Sequence, residues 1–205
     1  MPVLALNKEV ELVVTWVCQW HCEYCSVDTH NRPVLTMDMV REKLKQLPHP
    51  DYTITLSGGE VGTMKRQDIE EIISTVESLG NRLTINTNGL FIKRYPDLLK
   101  HFDTILYHCS EDLEPTDEII LDPVPNLEYL LIVTDNNYHK LDAFLNKYPN
   151  INFSLVAATN PKGINNVTLG AKLKHQMLTR YHNRMTKDSV KRIFKEKDFD
   201  SIIYI

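Results

Sequence analysis

Six short runs rich in Val, Ile, Thr and aromatic residues recur along this chain, at residues 11–17 (ELVVTWV), 52–57 (YTITLS), 82–88 (RLTINTN), 103–110 (DTILYHCS), 128–134 (EYLLIVT) and 151–159 (INFSLVAAT). Each closes on turn residues or a polar cluster, as strands do. Between the first two runs, residues 36–47 (TMDMVREKLKQL) put Met39, Val40, Leu44 and Leu47 on one helical face behind a Thr36 N-cap. Residues 67–80 (QDIEEIISTVESLG) repeat that period and stop at Gly80. Helical patterns at 95–102 and 138–148 fill two later gaps, whereas 111–126, with Pro115, Pro123 and Pro125, reads as a loop with at most a short helix. Strands and helices alternating in this way call for right-handed βαβ crossovers and a parallel sheet, so the pattern predicts an α/β fold, curved into an incomplete barrel or left open.

After Asn160-Pro161-Lys162-Gly163 the strand pattern stops, and residues 172–185 and 187–197 read as two basic helices, the second capped by Asp188. The expected division is a body over residues 1–165 and an extension over 166–205. Charge follows the same boundary. From Thr168 onward nine Lys or Arg stand against four Asp or Glu, a surplus of +5 in a chain of net charge −4. An acidic body thus carries a basic tail, open to two readings: a contact for phosphates or an acidic partner, or a solvated helix face. The longest apolar run near the start is flanked by Glu9 and Glu11, too short and too acidic for a signal peptide or a membrane span. A cytoplasmic protein making no membrane contact is expected, in a compartment where clustered thiols hold metal or do redox chemistry more often than they form disulfides.

Three of the four cysteines, Cys18, Cys22 and Cys25, fall within eight residues (CQWHCEYC) as C-x3-C-x2-C, just past the first strand. In parallel α/β folds that carboxyl edge is where sites are built. A structural zinc site needs four ligands, and here Cys109, His21 or His30 would have to complete the set. The other reading is an iron-sulfur cluster held by three cysteines with one iron left open to a substrate or cofactor.

The motif C-x3-C-x2-C with an aromatic, Tyr24, before the last cysteine resembles the signature of the radical S-adenosylmethionine (radical SAM) enzymes, and further matches fall at the ends of the next strands. Ser57-Gly58-Gly59-Glu60 is similar to that family's GGE motif, Asn86-Thr87-Asn88-Gly89 to its TNG, and Cys109-Ser110-Glu111-Asp112 to an S-x-D in which serine and aspartate approach the cofactor. In this chain Val61-Gly62 follows the GGE, where proline is frequent in the family. The resemblance implies an incomplete (β/α)6 barrel of the radical SAM type with a short C-terminal extension. It implies a [4Fe-4S] cluster on Cys18, Cys22 and Cys25, with S-adenosylmethionine on the fourth iron. Cofactor contacts would come from Tyr24, Gly58, Gly59, Glu60, Asn88, Ser110 and Asp112. A one-electron donor such as flavodoxin or ferredoxin would serve as partner. Reductive cleavage of the cofactor would yield methionine and a 5′-deoxyadenosyl radical that abstracts hydrogen from a substrate.

Elementary chemistry agrees with several of those roles. Paired glycines admit close backbone approach, Glu60 can pair with an ammonium, and Asn88 and Ser110 offer neutral hydrogen bonds to a carboxylate or sugar. Side-chain alternation places His108 and Leu106 with Ser110, so His108 is the candidate substrate-side acid, base or donor, while Cys109 turns toward the helices. Asn152 and Ser154 share a face of the sixth strand and could line the same pocket. The basic tail points to a nucleotide, a nucleobase in nucleic acid or another anionic substrate. Compactness also fits a glycyl-radical activating enzyme or a 7-carboxy-7-deazaguanine synthase-like enzyme, although a glycine-rich N-terminal segment typical of the latter is missing. A zinc-stabilised binding module is the alternative from another class.

Overall fold

The computed structural model describes residues 9–22, 25, 34–47, 50–109, 124, 126–157 and 202–203. The six expected strands are present: β1 (Glu9–Thr15), β2 (Thr53–Gly58), β3 (Arg82–Thr87), β4 (Thr104–His108), β5 (Leu127–Val133) and β6 (Phe153–Ala157). A seventh, β7 (Ile202–Ile203), was not expected; two residues are too few to show a period, and only pairing with β1 makes them a strand. The sheet order is β6-β5-β4-β3-β2-β1-β7 and every pair is parallel. Sequential parallel strands with helices on one side form the sheet of an incomplete barrel, its carboxyl ends gathered along one edge.

The helical elements are α1 (Met37–Leu44), α2 (Arg66–Ser78), α3 (Leu90–Arg94) and α4 (Leu141–Lys147). Thr36 caps α1, its side chain accepting from the Met39 backbone N–H, as the sequence suggested. Two helical expectations shift. Residues 96–101 form a 3-10 helix led by Pro96, and α3, a single turn after Gly89, sits upstream of it. Residues 138–140 are likewise 3-10 before α4 begins. The two basic helices of the extension and most of the 111–126 link lie outside the described residues.

Alternation sorts the sheet into two faces. Leu12, Val14, Ile54, Leu56, Leu83, Ile85, Ile105, Tyr107, Leu131 and Leu155 join one apolar layer with Val40, Ile69, Ile72, Ile73, Phe91 and Leu145 of the helices. Burial of these side chains, at roughly 1.5 to 3 kcal/mol each, is the main force holding the helices to the sheet. The residues between them face the other way, and that inner face is mixed. It carries Val13, Leu106 and Leu130, but also Glu11, Ser57, Thr84, Asn86, His108, Glu128 and Ser154. The polar members pair across strands where they can. Ser57 donates to Glu11 at 2.8 Å, and Ser154 donates to Glu128. Asn152 precedes β6 and is exposed, so only Ser154 of the two lies in the buried row.

Candidate functional site

The register of β1 against β2 slips between Val13 and Thr15, a bulge that turns the chain out of the sheet one residue before Trp16. Trp16 and Val17, expected at the end of the first strand, therefore begin the cysteine loop instead. β2 follows that turn. Past its end the Gly59 N–H donates to the Thr15 carbonyl at 2.6 Å and the Glu60 N–H to the Val17 carbonyl at 2.7 Å. Such closeness demands glycine. A Cβ on Gly58 would lie 2.2 Å from the Thr15 carbonyl oxygen, and Gly58 holds φ +117°; a Cβ on Gly59 would lie 2.2 Å from the Val17 carbonyl oxygen. The two glycines thus lash the Ser57-Gly58-Gly59-Glu60 segment against the backbone that leads into Cys18.

Glu60 lashes it to the next strand as well. Its side chain is 1 % exposed. The carboxylate accepts from the Asn88 N–H at 2.6 Å, the Gly62 N–H at 2.8 Å, the Thr87 hydroxyl at 2.9 Å and the Phe91 N–H at 3.2 Å. Burial pushes its pKa above the usual carboxylate range, against the pull of these donors. This carboxylate is a knot between the β2 and β3 loops, and a cofactor ammonium would meet the backbone of the segment rather than an idle side chain. The Val61-Gly62 departure belongs to the same knot. Val61–Thr63 forms a 3-10 turn whose Gly62 N–H feeds Glu60, and a Cβ there would fall 2.4 Å from the Phe91 nitrogen. Arg94 and Tyr95 close the turn from α3 and just beyond it, donating to the carbonyls of Gly62 and Met64 at 2.8 Å each.

Cys18, Cys22 and Cys25 are all half-buried, and the Cys25 N–H donates to the Cys22 carbonyl at 3.0 Å. The Trp20 N–H points at the Cys18 sulfur at 3.4 Å. Asn88, at the end of β3, directs its amide nitrogen to the same sulfur at 3.7 Å. Burial, followed by the negative charges of Glu60 and Cys25, pushes the Cys18 thiol above its ordinary range. A thiolate there calls for a cation beside it. Among the described residues no three His, Cys, Asp or Glu side chains gather as ligands of one metal ion. Three cysteine sulfurs on one loop are the donor set of an iron-sulfur cluster that keeps one iron open.

One observation suits a bound organic cofactor or substrate beside it: the Asn86 Oδ1 on the inner face is buried without a hydrogen-bond partner, an acceptor matched to a ligand N–H or O–H. His108 stands half-buried at the end of β4 on that same face. Cys109 goes the other way, 1 % exposed within the apolar layer, its thiol driven far upward by burial alone, which makes it packing. Tyr24, Ser110 and Asp112, expected as cofactor contacts, lie outside the described residues. Sequence reasoning passed over Thr87, Gly62 and Gln19, which serve Glu60 and Asn88. Gln19, between the first two cysteines, was the one with a positional signal.

Residues 12–124 match the family model of the radical SAM superfamily, more than half of the chain. The fold is similar to that of anSMEcpe solved with bound AdoMet and a Cp18Cys peptide, with TM-score 0.64 and 15 % identity over 91 % of this chain and 62 % of that one. It is also similar to Streptococcus suis SuiB bound to the precursor peptide SuiA, with TM-score 0.59 and 18 % identity over 87 % of this chain and 47 % of that one. The chain thus spans about three fifths of the first protein and about half of the second. No curated protein matches it in sequence. Among the described residues no helix is long and apolar enough to cross a membrane.

Proposed function

The chain belongs to the radical SAM superfamily, enzymes that use a [4Fe-4S] cluster and S-adenosylmethionine, and on that premise we propose that Cys18, Cys22 and Cys25 hold the cluster and that the β2 edge receives the cofactor. When bound, the reduced cluster supplies the electron that splits the cofactor's S–C5′ bond, and the adenosyl fragment then takes a hydrogen atom from the substrate. The protein's own residues position and enclose. Gly58 and Gly59 let their loop pack directly on the backbone that leads into Cys18, Glu60 fixes that loop to the end of β3, and Asn86 offers its free acceptor inside the sheet. His108, on the same inner face, is placed to exchange a proton or hydrogen bond with substrate.

The observation that carries this reading is the joining of the three-cysteine loop to the glycine pair through the Thr15 and Val17 carbonyls. Its test is anaerobic purification. We expect absorbance near ~400 nm and about four irons per chain, bleached by dithionite, and release of 5′-deoxyadenosine when S-adenosylmethionine is added. An intact cluster that never yields that product sinks the reading.

For the substrate, the inner face toward the carboxyl edge disfavours an anionic group at the point of attack. The described side chains there include Val13, Thr15, Ser57, Asn86, Leu106, His108, Glu128, Leu130, Ile132, Ser154 and Val156, with Glu128 and the neighbouring Glu11 bonded to Ser154 and Ser57 and no Lys or Arg among them. A peptide segment meets that requirement, and peptides are bound in two of the similar structures. A nucleobase meets it too, with its phosphates left to the basic tail. Binding of a nucleic acid that weakens steeply with salt favours the second; binding indifferent to salt favours the first.

A further inference from the structure

We propose that Asn88, held by Gln19 and the Leu90 N–H, is a positioning residue that sets the reduction potential of the cluster through the Cys18 sulfur, rather than a contact to the organic cofactor. The inference rests on the reading above that Cys18 ligates the cluster. An asparagine at the end of β3 would ordinarily be free to hydrogen-bond a ligand, but here both ends of the amide are committed. Its Oδ1 accepts from the Gln19 side chain at 2.9 Å and from the Leu90 N–H at 3.3 Å. A backbone N–H can only donate, so Leu90 fixes which end is oxygen, and the nitrogen must then face Cys18, where it stands 3.7 Å from the sulfur. The backbone beneath is clamped too, by the 2.6 Å bond from the Asn88 N–H to Glu60.

Hydrogen bonds to the sulfurs are one of the means by which a protein sets the potential of an iron-sulfur centre. Reduction adds negative charge to the cluster and its thiolates. A dipole pointing its positive end at Cys18 stabilises the reduced form and raises the potential. The Trp20 N–H points the same way at 3.4 Å, but it is part of the loop itself and no side-chain change removes it. The buried Glu60 carboxylate pulls oppositely, since negative charge nearby opposes the added electron. Asn88 is tied to Glu60 by its backbone and opposes it with its side chain, and two donors on its oxygen polarise the amide further in that direction.

The test measures the potential of the reconstituted cluster without S-adenosylmethionine, by spectroelectrochemistry with EPR of the reduced state, in the wild-type chain, Asn88→Ala and Gln19→Ala. For Asn88→Ala we expect a more negative potential, about a tenfold loss in the reduced-to-oxidised ratio at fixed poise, equivalent to ~59 mV for one electron. Gln19→Ala should move it the same way by less, because the amide stays but loses one of its anchors. Gln19 is exposed, so its removal leaves folding intact and decides the matter should Asn88→Ala assemble no cluster. An unchanged potential in both variants overturns the inference. So does an unchanged potential in Asn88→Ala accompanied by weakened S-adenosylmethionine binding, which would make Asn88 a cofactor contact. A wild-type chain that assembles no cluster at all refutes the proposed function instead.

Discussion

On β4 and just past its end, Tyr107 and Cys109 sink into the apolar layer beneath the helices, while Leu106 and His108, each one residue away, face the inside of the sheet. Across the same sheet three other cysteines stand half-exposed on a loop off β1. One residue type thus serves two purposes, and environment makes the difference. Cys109 is buried within the apolar layer, where desolvation disfavours its thiolate. Cys18 meets N–H donors from Trp20 and Asn88, and two more cysteines follow it on the same loop. The helix face holds the fold; on the proposed reading, the inner face and its carboxyl edge hold the chemistry.

The sharpest way to break that contrast is to exchange alanine for a cysteine on each side. Cys22→Ala should lose the cluster outright, with iron per chain near background and 5′-deoxyadenosine formation abolished. Cys109→Ala should keep full iron and cost only about 1 kcal/mol in chemical denaturation. Iron loss in the second variant would erase the distinction.

The next comparison stays on one strand. Ile105→Ala empties space in the apolar layer and should cost about 3 kcal/mol in stability. His108→Ala should leave the melting temperature nearly unmoved yet lower substrate turnover by about 100-fold, the usual worth of a positioned proton donor or acceptor. Equal stability losses would place His108 among the structural residues.

Glu60 belongs to neither face cleanly, being a polar knot under the site. Replacing one oxygen by an amide sets a donor against its N–H partners, so Glu60→Gln should cost about 2 kcal/mol. The loosened loop should weaken S-adenosylmethionine binding as well; a measured affinity equal to wild type would leave Glu60 a purely structural group.

The smallest effect lies on the outer helical surface. Arg41 meets Glu71 at 2.6 Å and Arg66 meets Asp97 at 2.6 Å, and each arginine holds its carboxyl below the ordinary value of 4.5 or 3.8. A carboxyl lowered on folding contributes stability that is fully present above that ordinary value and is lost as the pH falls through the lowered one. Thermal melts taken between about pH 5 and pH 3 should therefore decline less steeply in Arg41→Ala and Arg66→Ala than in wild type. The difference will be slight, because these pairs are exposed and screened.

Much of the site was legible because it is written locally. The spacing of Cys18, Cys22 and Cys25, the glycine pair and the Asn86-Thr87-Asn88-Gly89 turn are each contiguous, and their placement at successive strand ends follows from β-rich runs that any reader can find. What stayed hidden depends on partners far along the chain. Glu60 looked like a free carboxylate until Thr87, Asn88 and Phe91 were seen around it. Asn88 looked free for a ligand until Gln19, 69 residues away, was found bonded to it. The shortfall of α1, the 3-10 turn behind Pro96 and the two-residue β7 escaped because packing and pairing, not propensity, fix them.

The sequence by itself determined the parallel α/β order, the family and the three thiols, since strand alternation and ligand spacing are properties of neighbouring residues. Only the tertiary structure decided which polar groups stay available to a ligand and which are consumed within the protein. Buried donors and acceptors must find partners, and those partners arrive from other strands.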